Sequence, residues 1–201
     1  TTHKKQLSAL VCATLLGFPW GGANAIPPGV PPGETAGVVG TEEGFTSASE
    51  NISGNYGIYA VGTKASAIAE NITISSDKFA ALYAYNGGVI NVGGDSTKSV
   101  IITSTSGGID AINKNNNGAA FVSVKASESV SIVSDTFALW AQNGTQSTQA
   151  PESHSSITVE APTISIEAKE EAIVAFSNAE INITGNATIK GGSALIDTRG
   201  N

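Results

Sequence analysis

The chain has 201 residues, of which only 13% are charged, and its formal net charge is −7. This length gives room for one ordinary domain or one stack of repeats. Ser, Thr, Asn, Gly and Ala are abundant, a composition that suits turns and short strands better than helices. The acidic balance argues against nucleic acid as a partner, because phosphate binding requires a basic surface.

Residues 1–25 have the pattern of a cleavable signal peptide. Residues 3–5 give a basic start, residues 7–18 form an apolar run, and residues 23–25 match an A-x-A cleavage site. The run is too short to span a bilayer. We therefore predict an exported protein. Its only cysteine, Cys12, lies in the segment that would be removed, so we expect no disulfide in the mature chain.

Residues 26–48 differ from the rest of the chain. They begin with Ile-Pro-Pro-Gly-Val-Pro-Pro-Gly and continue into a Gly-rich acidic stretch. Prolines at this density favour extended polyproline II, and the segment offers little apolar surface to bury. We predict a Pro/Gly-rich linker here.

Internal repetition from about residue 49 onward predicts the architecture. A small residue, then Ile or Leu, then a variable residue and usually Ala recurs at residues 57–60, 81–84, 108–111, 138–141, 172–175 and 194–197. A second apolar strand precedes each later copy at a nearly fixed distance, and a third lies between these two. Each unit therefore contains three short strands in which apolar and polar residues largely alternate.

Three such strands cannot close a core alone, but stacked units can, because each strand pairs in parallel with its counterparts about 4.8 Å away. We predict an all-β parallel β-solenoid with three short strands per rung over residues 49–201. One inward ladder would contain Ile58, Leu82, Ile109, Leu139, Ile173 and Leu195. A second would contain Ala60, Ala84, Ala111, Ala141 and Ala175. The alternative is an antiparallel sandwich, but that fold gives no reason for the same four-residue motif to recur at one position in every unit.

Alternation along the strands places a column of side chains on the outside. Its members are Tyr59, Tyr83, Asp110, Trp140, Val174 and Ile196. The aromatic residues Tyr59, Tyr83 and Trp140 are the candidate binding residues, since aromatic faces stack on sugar rings and dominate binding hot spots. The alternative is that these rings pair across neighbouring strands and stiffen the sheet. Asp110 interrupts the column.

Parallel β-helices also include polysaccharide lyases and hydrolases, which require clustered carboxylates. Asp77 and Asp135 occupy equivalent corners two units apart, about 10 Å by strand spacing, with Thr105 between them. A groove beside the polar insert at residues 143–155 would be the site of such an enzyme. His154 lies in this insert, but the sequence places no partner acid for a catalytic triad, so we expect a surface histidine. We predict no catalytic residue, metal ligand or cofactor, and we expect a protein that binds rather than catalyses.

Short segments such as Glu70-Asn71-Ile72-Thr73-Ile74 and Glu180-Ile181-Asn182-Ile183-Thr184 recur in coils rich in Ser, Thr, Asn and Gly. Together with the signal peptide and the cysteine-free mature chain, they make the sequence resemble the passenger region of bacterial autotransporter adhesins. The resemblance covers composition and layout and includes no catalytic motif. The resemblance implies a right-handed, three-faced β-helix at the cell surface, with an adhesive or structural role and with host or bacterial surface glycans or proteins as partners.

The resemblance also implies secretion through a C-terminal outer-membrane barrel, which requires at least roughly eight amphipathic strands. Residues 49–201 are used by the predicted repeats, so no stretch remains for such a barrel. The chain also stops within a repeat unit. We therefore expect an N-terminal fragment of a longer protein, attached to the outer membrane only through a barrel that this chain does not contain.

Overall fold

The structure, a computed structural model, describes residues 29–114, 118–144 and 154–199. This part of the chain is all-β and contains no helix, so it has no helix that could span a membrane. The predicted signal peptide, residues 1–25, lies outside it. Its strands are β1 (Ala36–Val39), β2 (Phe45–Ser47), β3 (Asn51–Gly54), β4 (Tyr56–Val61), β5 (Lys64–Ala67), β6 (Asn71–Ser76), β7 (Leu82–Tyr85), β8 (Val89–Gly93), β9 (Ser99–Ser104), β10 (Ile109–Asn113), β11 (Phe121–Lys125), β12 (Ser129–Ser134), β13 (Leu139–Asn143), β14 (Ser156–Ala168), β15 (Glu171–Phe176), β16 (Glu180–Gly191) and β17 (Ala194–Arg199).

Parallel pairing joins these strands into two sheets. The seven-stranded sheet has the order β1-β4-β7-β10-β13-β15-β17. The larger sheet contains two series, β2-β5-β8-β11 and β3-β6-β9-β12, which both end on the long strand β14, and β16 pairs along the other side of β14. Every named strand pair in the described residues is parallel, so the antiparallel sandwich is excluded.

The core consists of like side chains stacked from strand to strand. Leu82 pairs with Ile58 on one side and with Ile109 on the other, and the series continues through Leu139 to Ile173. All five side chains are buried in one apolar cluster. The predicted alanine ladder is also aligned. These pairings confirm the predicted alignment of the repeats between residues 57 and 175.

The small residue that opens each repeat lies inside, at a corner of the backbone. Gly57, Ala81, Gly108, Ala138 and Ala172 are all buried. A Cβ atom added to Gly57 would lie 2.4 Å from Ile74 Cγ2, and one added to Gly108 would lie 2.5 Å from the carbonyl oxygen of Ala138. At Gly57 and Gly108 the neighbouring strand and the next corner therefore leave no room even for a methyl group, whereas the other copies of the repeat carry Ala at this position.

The last copy of the repeat is shifted by one residue from the prediction. Ile196, and not Leu195, pairs with Ile173 and extends the ladder, so the prediction that Ile196 lies on the outside is wrong. The reason is the corner before β17. Seven residues separate Ile189 from Ile196, the same spacing that separates Ile166 from Ile173. The length of the corner, rather than the four-residue motif at residues 194–197, therefore sets the register between β15 and β17.

The predicted linker is too long at its C-terminal end. Residues 36–39 form β1 and residues 45–47 form β2, which pair with β4 and β5. Val38 is buried in the main apolar cluster although Gly and acidic residues surround it in sequence. Parallel pairing with the following strands supplies the partners that this polar stretch lacks on its own.

Two corners carry buried polar ladders. The Ser76 hydroxyl donates to Ser104 Oγ at 2.8 Å, and Ser104 Oγ donates to the carbonyl oxygen of Phe79 at 2.8 Å. At the other corner, Asn113 Nδ2 donates to Asn143 Oδ1 at 3.2 Å. Both asparagines are buried, and Asn113 Oδ1 has no hydrogen-bond partner among residues 29–114, 118–144 and 154–199.

Candidate binding face

The outer side of the seven-stranded sheet holds all three predicted binding residues in one column. Tyr59 pairs with Tyr83, Tyr83 with Asp110, Asp110 with Trp140, and Trp140 with Val174. We call this outer side, from Tyr59 to Trp140, the aromatic face. Because the strands are parallel and in register, the column follows directly from the repeat.

Ring contacts pack one end of the aromatic face tightly. The rings of Tyr59 and Tyr83 are stacked, with centroids 5.6 Å apart, and Tyr56 contacts Tyr59 edge-on at 4.9 Å. Phe79 stacks on Tyr56 at 4.6 Å, and Val30 joins the same cluster. Tyr59 is only 7% exposed as a result. Neighbouring rings therefore cover most of Tyr59 and stiffen the sheet at this position, while a binding role for Tyr59 stays a prediction.

Tyr83 and Trp140 remain partly exposed, so they are the predicted binding residues that retain accessible surface. Val174, which was also predicted to lie outside, is fully buried. Alternation determines the direction in which a strand side chain points, whereas its exposure depends on what packs over it. The accessible part of the column therefore extends from Tyr83 across Asp110 to Trp140.

A second column lies two residues further along the same strands, and sequence reasoning missed it. Val61 pairs with Tyr85, Tyr85 with Ile112, Ile112 with Gln142, and Gln142 with Phe176. Tyr85 stacks on Tyr83 with centroids 5.8 Å apart. The signal was available, because alternation places residues i and i+2 on the same side of a strand. The aromatic face is therefore two side chains wide.

Trp140 is held in place from two directions. Phe137 contacts its ring edge-on, with centroids 4.6 Å apart. Its indole nitrogen donates to Gln142 Oε1 at 3.4 Å, and Gln142 Nε2 donates in turn to the carbonyl oxygen of Gly144 at 3.1 Å. These contacts restrict the indole ring, so a ligand that stacks on it would lose little side-chain entropy.

Asp110 is a carboxyl group among aromatic rings. Burial raises its pKa to about 7, and the ammonium of Lys114 opposes this shift. Desolvation also raises the pKa of Tyr56 to about 12 and that of Tyr83, with Asp110 contributing to both. The accessible part of the face thus combines apolar rings with one carboxyl that changes charge near neutral pH.

Carboxylates elsewhere are engaged by neighbouring groups. Asp77 accepts a hydrogen bond from Asn55 Nδ2 at 3.0 Å, and Asp135 forms an ion pair with Lys169 at 2.8 Å. Asp77, Thr105 and Asp135 each follow one of the paired serines Ser76, Ser104 and Ser134. The two aspartates therefore occupy equivalent corners with Thr105 between them, as predicted. Each of these two carboxylates thus has a hydrogen-bond or ion-pair partner on its own corner.

A shallow groove of about 420 Å³ brings two other carboxylates together. Lys125 Nζ lies 3.0 Å from Asp95 Oδ1 and 3.3 Å from Glu160 Oε1, and Pro162 and Thr184 complete the wall. Sequence reasoning missed this site because its acids come from different turns. The groove predicted beside residues 143–155 falls mostly outside the described residues. His154 is described, and its side chain is exposed.

Comparison with known proteins found no matching family model, no similar curated protein and no similar solved structure. Within residues 29–114, 118–144 and 154–199, no group of three His, Cys, Asp or Glu side chains could hold a metal ion.

Proposed function

We propose that the chain is a right-handed parallel β-helix with three strands per turn, which acts as an exported, surface-exposed adhesive or structural module like the passenger regions of autotransporter adhesins. The observation that supports this role most directly is the aromatic face, a two-column array of side chains on one side of a parallel sheet. The partners we propose are glycans or proteins of host or bacterial surfaces.

The order of strand pairing supports three strands per turn. Along the chain, β4, β5 and β6 are followed by β7, β8 and β9, and each member of the second group pairs with the corresponding member of the first. The next group, β10 to β12, repeats this relation. A right-handed path agrees with the strong preference of parallel crossover connections for that hand.

The accessible rings suit an extended ligand. Side chains in one column repeat at the strand spacing of about 4.8 Å, and the two columns lie side by side. Flat apolar rings of this kind bind the apolar faces of pyranose rings or apolar patches of proteins. Because packing already restricts the Trp140 ring, binding would cost little further side-chain conformational entropy.

Single substitutions on the aromatic face test the adhesive role. We expect Trp140→Ala and Tyr83→Ala each to weaken binding to a glycan array or to intact cells by at least about tenfold, because hot-spot aromatics dominate binding energy. Phe121→Ala is the matched control, since Phe121 is 42% exposed but belongs to the larger sheet. We expect the control to bind normally.

The same experiment can contradict the proposal. Circular dichroism must first show that each variant keeps its β-structure, because Tyr83 also packs against Tyr56 and Tyr59. Binding that survives in a folded Tyr83→Ala, Trp140→Ala double variant would remove the aromatic face from the adhesive role. Wild-type protein that binds no glycan, protein or cell surface would remove the adhesive role itself.

Cleavage of polysaccharides remains the alternative prediction, and the groove at Lys125 is the place to test it. Release of new sugar ends that disappears in both Asp95→Asn and Glu160→Gln would favour this alternative. Lys125 forms ion pairs with both acids, so it lies between the two carboxylates that such a mechanism would need to face a sugar.

A further inference from the structure

One carboxyl group lies unpaired in the middle of the aromatic face. Asp110 is partly exposed, and its carboxyl forms no hydrogen bond or ion pair with any residue in the ranges 29–114, 118–144 and 154–199. Lys114 acts on it through its charge but forms no ion pair with it. A carboxylate that is partly removed from water is stabilised by a partner that compensates its charge. A cation from a ligand would supply the partner that this carboxyl lacks.

Gly107 gives this carboxyl the space that it occupies. The Asp110 side chain leans toward the corner before β10, where a Cβ atom added to Gly107 would lie 2.8 Å from Asp110 Oδ1 and 3.3 Å from Oδ2. The corresponding corner residue of the next turn is Phe137, because the Gly108 amide donates to the Phe137 carbonyl oxygen at 2.8 Å. The turn that carries Asp110 therefore has no side chain at this corner, and the carboxyl lies where that side chain would be.

Aromatic side chains of the two neighbouring turns flank the carboxyl. Tyr83 pairs with Asp110 on one side and Trp140 pairs with it on the other, so their strands are two spacings, about 10 Å, apart. Tyr56 packs against Tyr83 with centroids 5.3 Å apart, and Phe137 packs against Trp140 at 4.6 Å. Since Asp is shorter than Tyr or Trp, the carboxyl lies at the base of a gap one strand wide. We call this gap the carboxyl notch, lined by Tyr83, Gly107, Asp110, Phe137 and Trp140.

The carboxyl notch matches an organic cation on a flexible apolar stem. One strand spacing, about 4.8 Å, separates Asp110 from each flanking strand, which is inside the range of roughly 6 Å over which a ring face attracts a cation. Lys and Arg side chains bury their aliphatic stems against apolar surface while the charged head reaches a polar partner. The acidic net charge of −7 attracts such groups over longer distances.

We infer that the carboxyl notch binds a lysine or arginine side chain of a partner protein, with the cationic group on Asp110 and the aliphatic stem between Tyr83 and Trp140. This inference rests on the binding role proposed for the aromatic face, and it specifies the partner as a protein with a cationic surface side chain. A 2-amino sugar fits the notch less well, because its ammonium is attached directly to a rigid ring that would have to enter the one-strand gap with it.

Protonation of Asp110 should control this binding, because a cation gains only from the ionised carboxyl. Burial raises the pKa of Asp110 to about 7. The surrounding side chains are Tyr56 and Tyr59 on β4, Tyr83 and Tyr85 on β7, Trp140 and Gln142 on β13, and Lys114 after β10. Burial raises the pKa of Tyr56, Tyr59 and Tyr83, so these phenols stay neutral. We therefore expect the affinity for a cation to fall about tenfold between about pH 8 and pH 6.

The fluorescence of Trp140 measures this binding directly. In a Trp20→Phe background, Trp140 is the only tryptophan of the chain. At constant ionic strength, we expect N-acetyl-lysine methylamide and its arginine analogue to change this fluorescence saturably, and the neutral norleucine analogue to bind at least about tenfold more weakly. Glucosamine and N-acetylglucosamine test a sugar ligand. Binding of glucosamine without binding of the lysine or arginine derivative would overturn the inference.

Asp110→Asn removes the charge and keeps the shape of the side chain. We expect it to weaken lysine binding at least about tenfold and to remove its pH dependence, while norleucine binding, which reports intact aromatic walls, stays the same. Lys114→Gln removes a like charge and should strengthen lysine binding about twofold. Glu50→Gln, an exposed carboxyl elsewhere, is the control and should change neither affinity. Unchanged lysine affinity in Asp110→Asn, or equal affinity for lysine and norleucine, would overturn the inference.

Failure of this inference differs in outcome from failure of the adhesive role. Cell-surface binding that is lost in Tyr83→Ala and Trp140→Ala but unchanged in Asp110→Asn would overturn the cationic partner and keep the aromatic face as an adhesive site. Lysine binding that depends on Asp110, in a protein that adheres to no surface, would support the cationic ligand and overturn the adhesive role alone.

Discussion

Gly108 occupies a position where two stacked corners of the backbone come close together. A Cβ atom there would lie 2.5 Å from the carbonyl oxygen of Ala138 and 3.0 Å from Ile132 Cγ2. We expect Gly108→Ala to lower the free energy of unfolding by about 1–3 kcal/mol, because the rigid backbone must move to accept the methyl group. Chemical denaturation measures this change. Gly94→Ala is the control, since a Cβ at Gly94 meets no atom within 4 Å, and an equal loss there would contradict the account.

Asp110 should make stability depend on pH. Its pKa in the folded chain is about 7, above the usual value of 3.8, so the folded chain binds more protons than the unfolded chain between these values. Stability should therefore fall as the pH rises through this window, and the full loss should be present above about pH 7. Asp110→Asn should remove this dependence and stabilise the protein at alkaline pH, on the order of 1 kcal/mol after allowance for partial exposure.

Denaturation curves at several pH values test the role of Asp110. Glu50→Gln, an exposed carboxyl in another part of the structure, should leave the pH profile unchanged. A profile that is the same in wild type and Asp110→Asn would show that the carboxyl is solvated like a surface group.

Side-chain direction could be predicted from the sequence, but exposure could not. The column Tyr59, Tyr83, Asp110 and Trp140 follows from alternation within a repeated phrase. The burial of Tyr59 depends on Tyr56, Phe79 and Val30, which come from outside that phrase. Such contacts form only when separate segments meet in the folded chain.

At the scale of elements, the corner after β10 and β13 depends on a buried amide pair. Asn113 Nδ2 donates to Asn143 Oδ1, and in the part of the chain that the structure describes Asn113 Oδ1 has no hydrogen-bond partner. We expect Asn143→Ala to lower the free energy of unfolding by about 1–3 kcal/mol, because it leaves a buried amide donor unpaired. Asn182→Ala removes an exposed amide that binds only Glu180 and should cost less than about 0.5 kcal/mol. Equal costs for both variants would contradict this role of the corner.

Strands with clear repeats could be predicted well, and strands without them could not. The pairing of β6, β9 and β12 follows from apolar phrases at fixed spacing. In contrast, β1 and β2 have little apolar sequence and gain their partners from β4 and β5. The register of β17 depends on the length of the preceding corner. That length places Ile196 opposite Ile173, although the motif at residues 194–197 predicts Leu195 there.

At the scale of the whole molecule, stability comes from contacts between neighbouring turns. Each turn buries its Ile, Leu, Val and Ala side chains against the turns before and after it. The difference between buried Ile173 and exposed Ile196 in the same ladder illustrates this dependence. Parallel stacking could be predicted because the repeat fixes it.

The central claim is that Leu82, Ile109, Leu139 and Ile173 lie directly over one another on parallel strands. Methyl-labelled protein allows this to be measured by nuclear Overhauser effects. The account predicts contacts for Leu82 with Ile109, Ile109 with Leu139, and Leu139 with Ile173, at a strand spacing of about 4.8 Å, and none between Leu82 and Leu139. Absence of the three successive contacts, or backbone contacts typical of antiparallel neighbours in these strands, would contradict it.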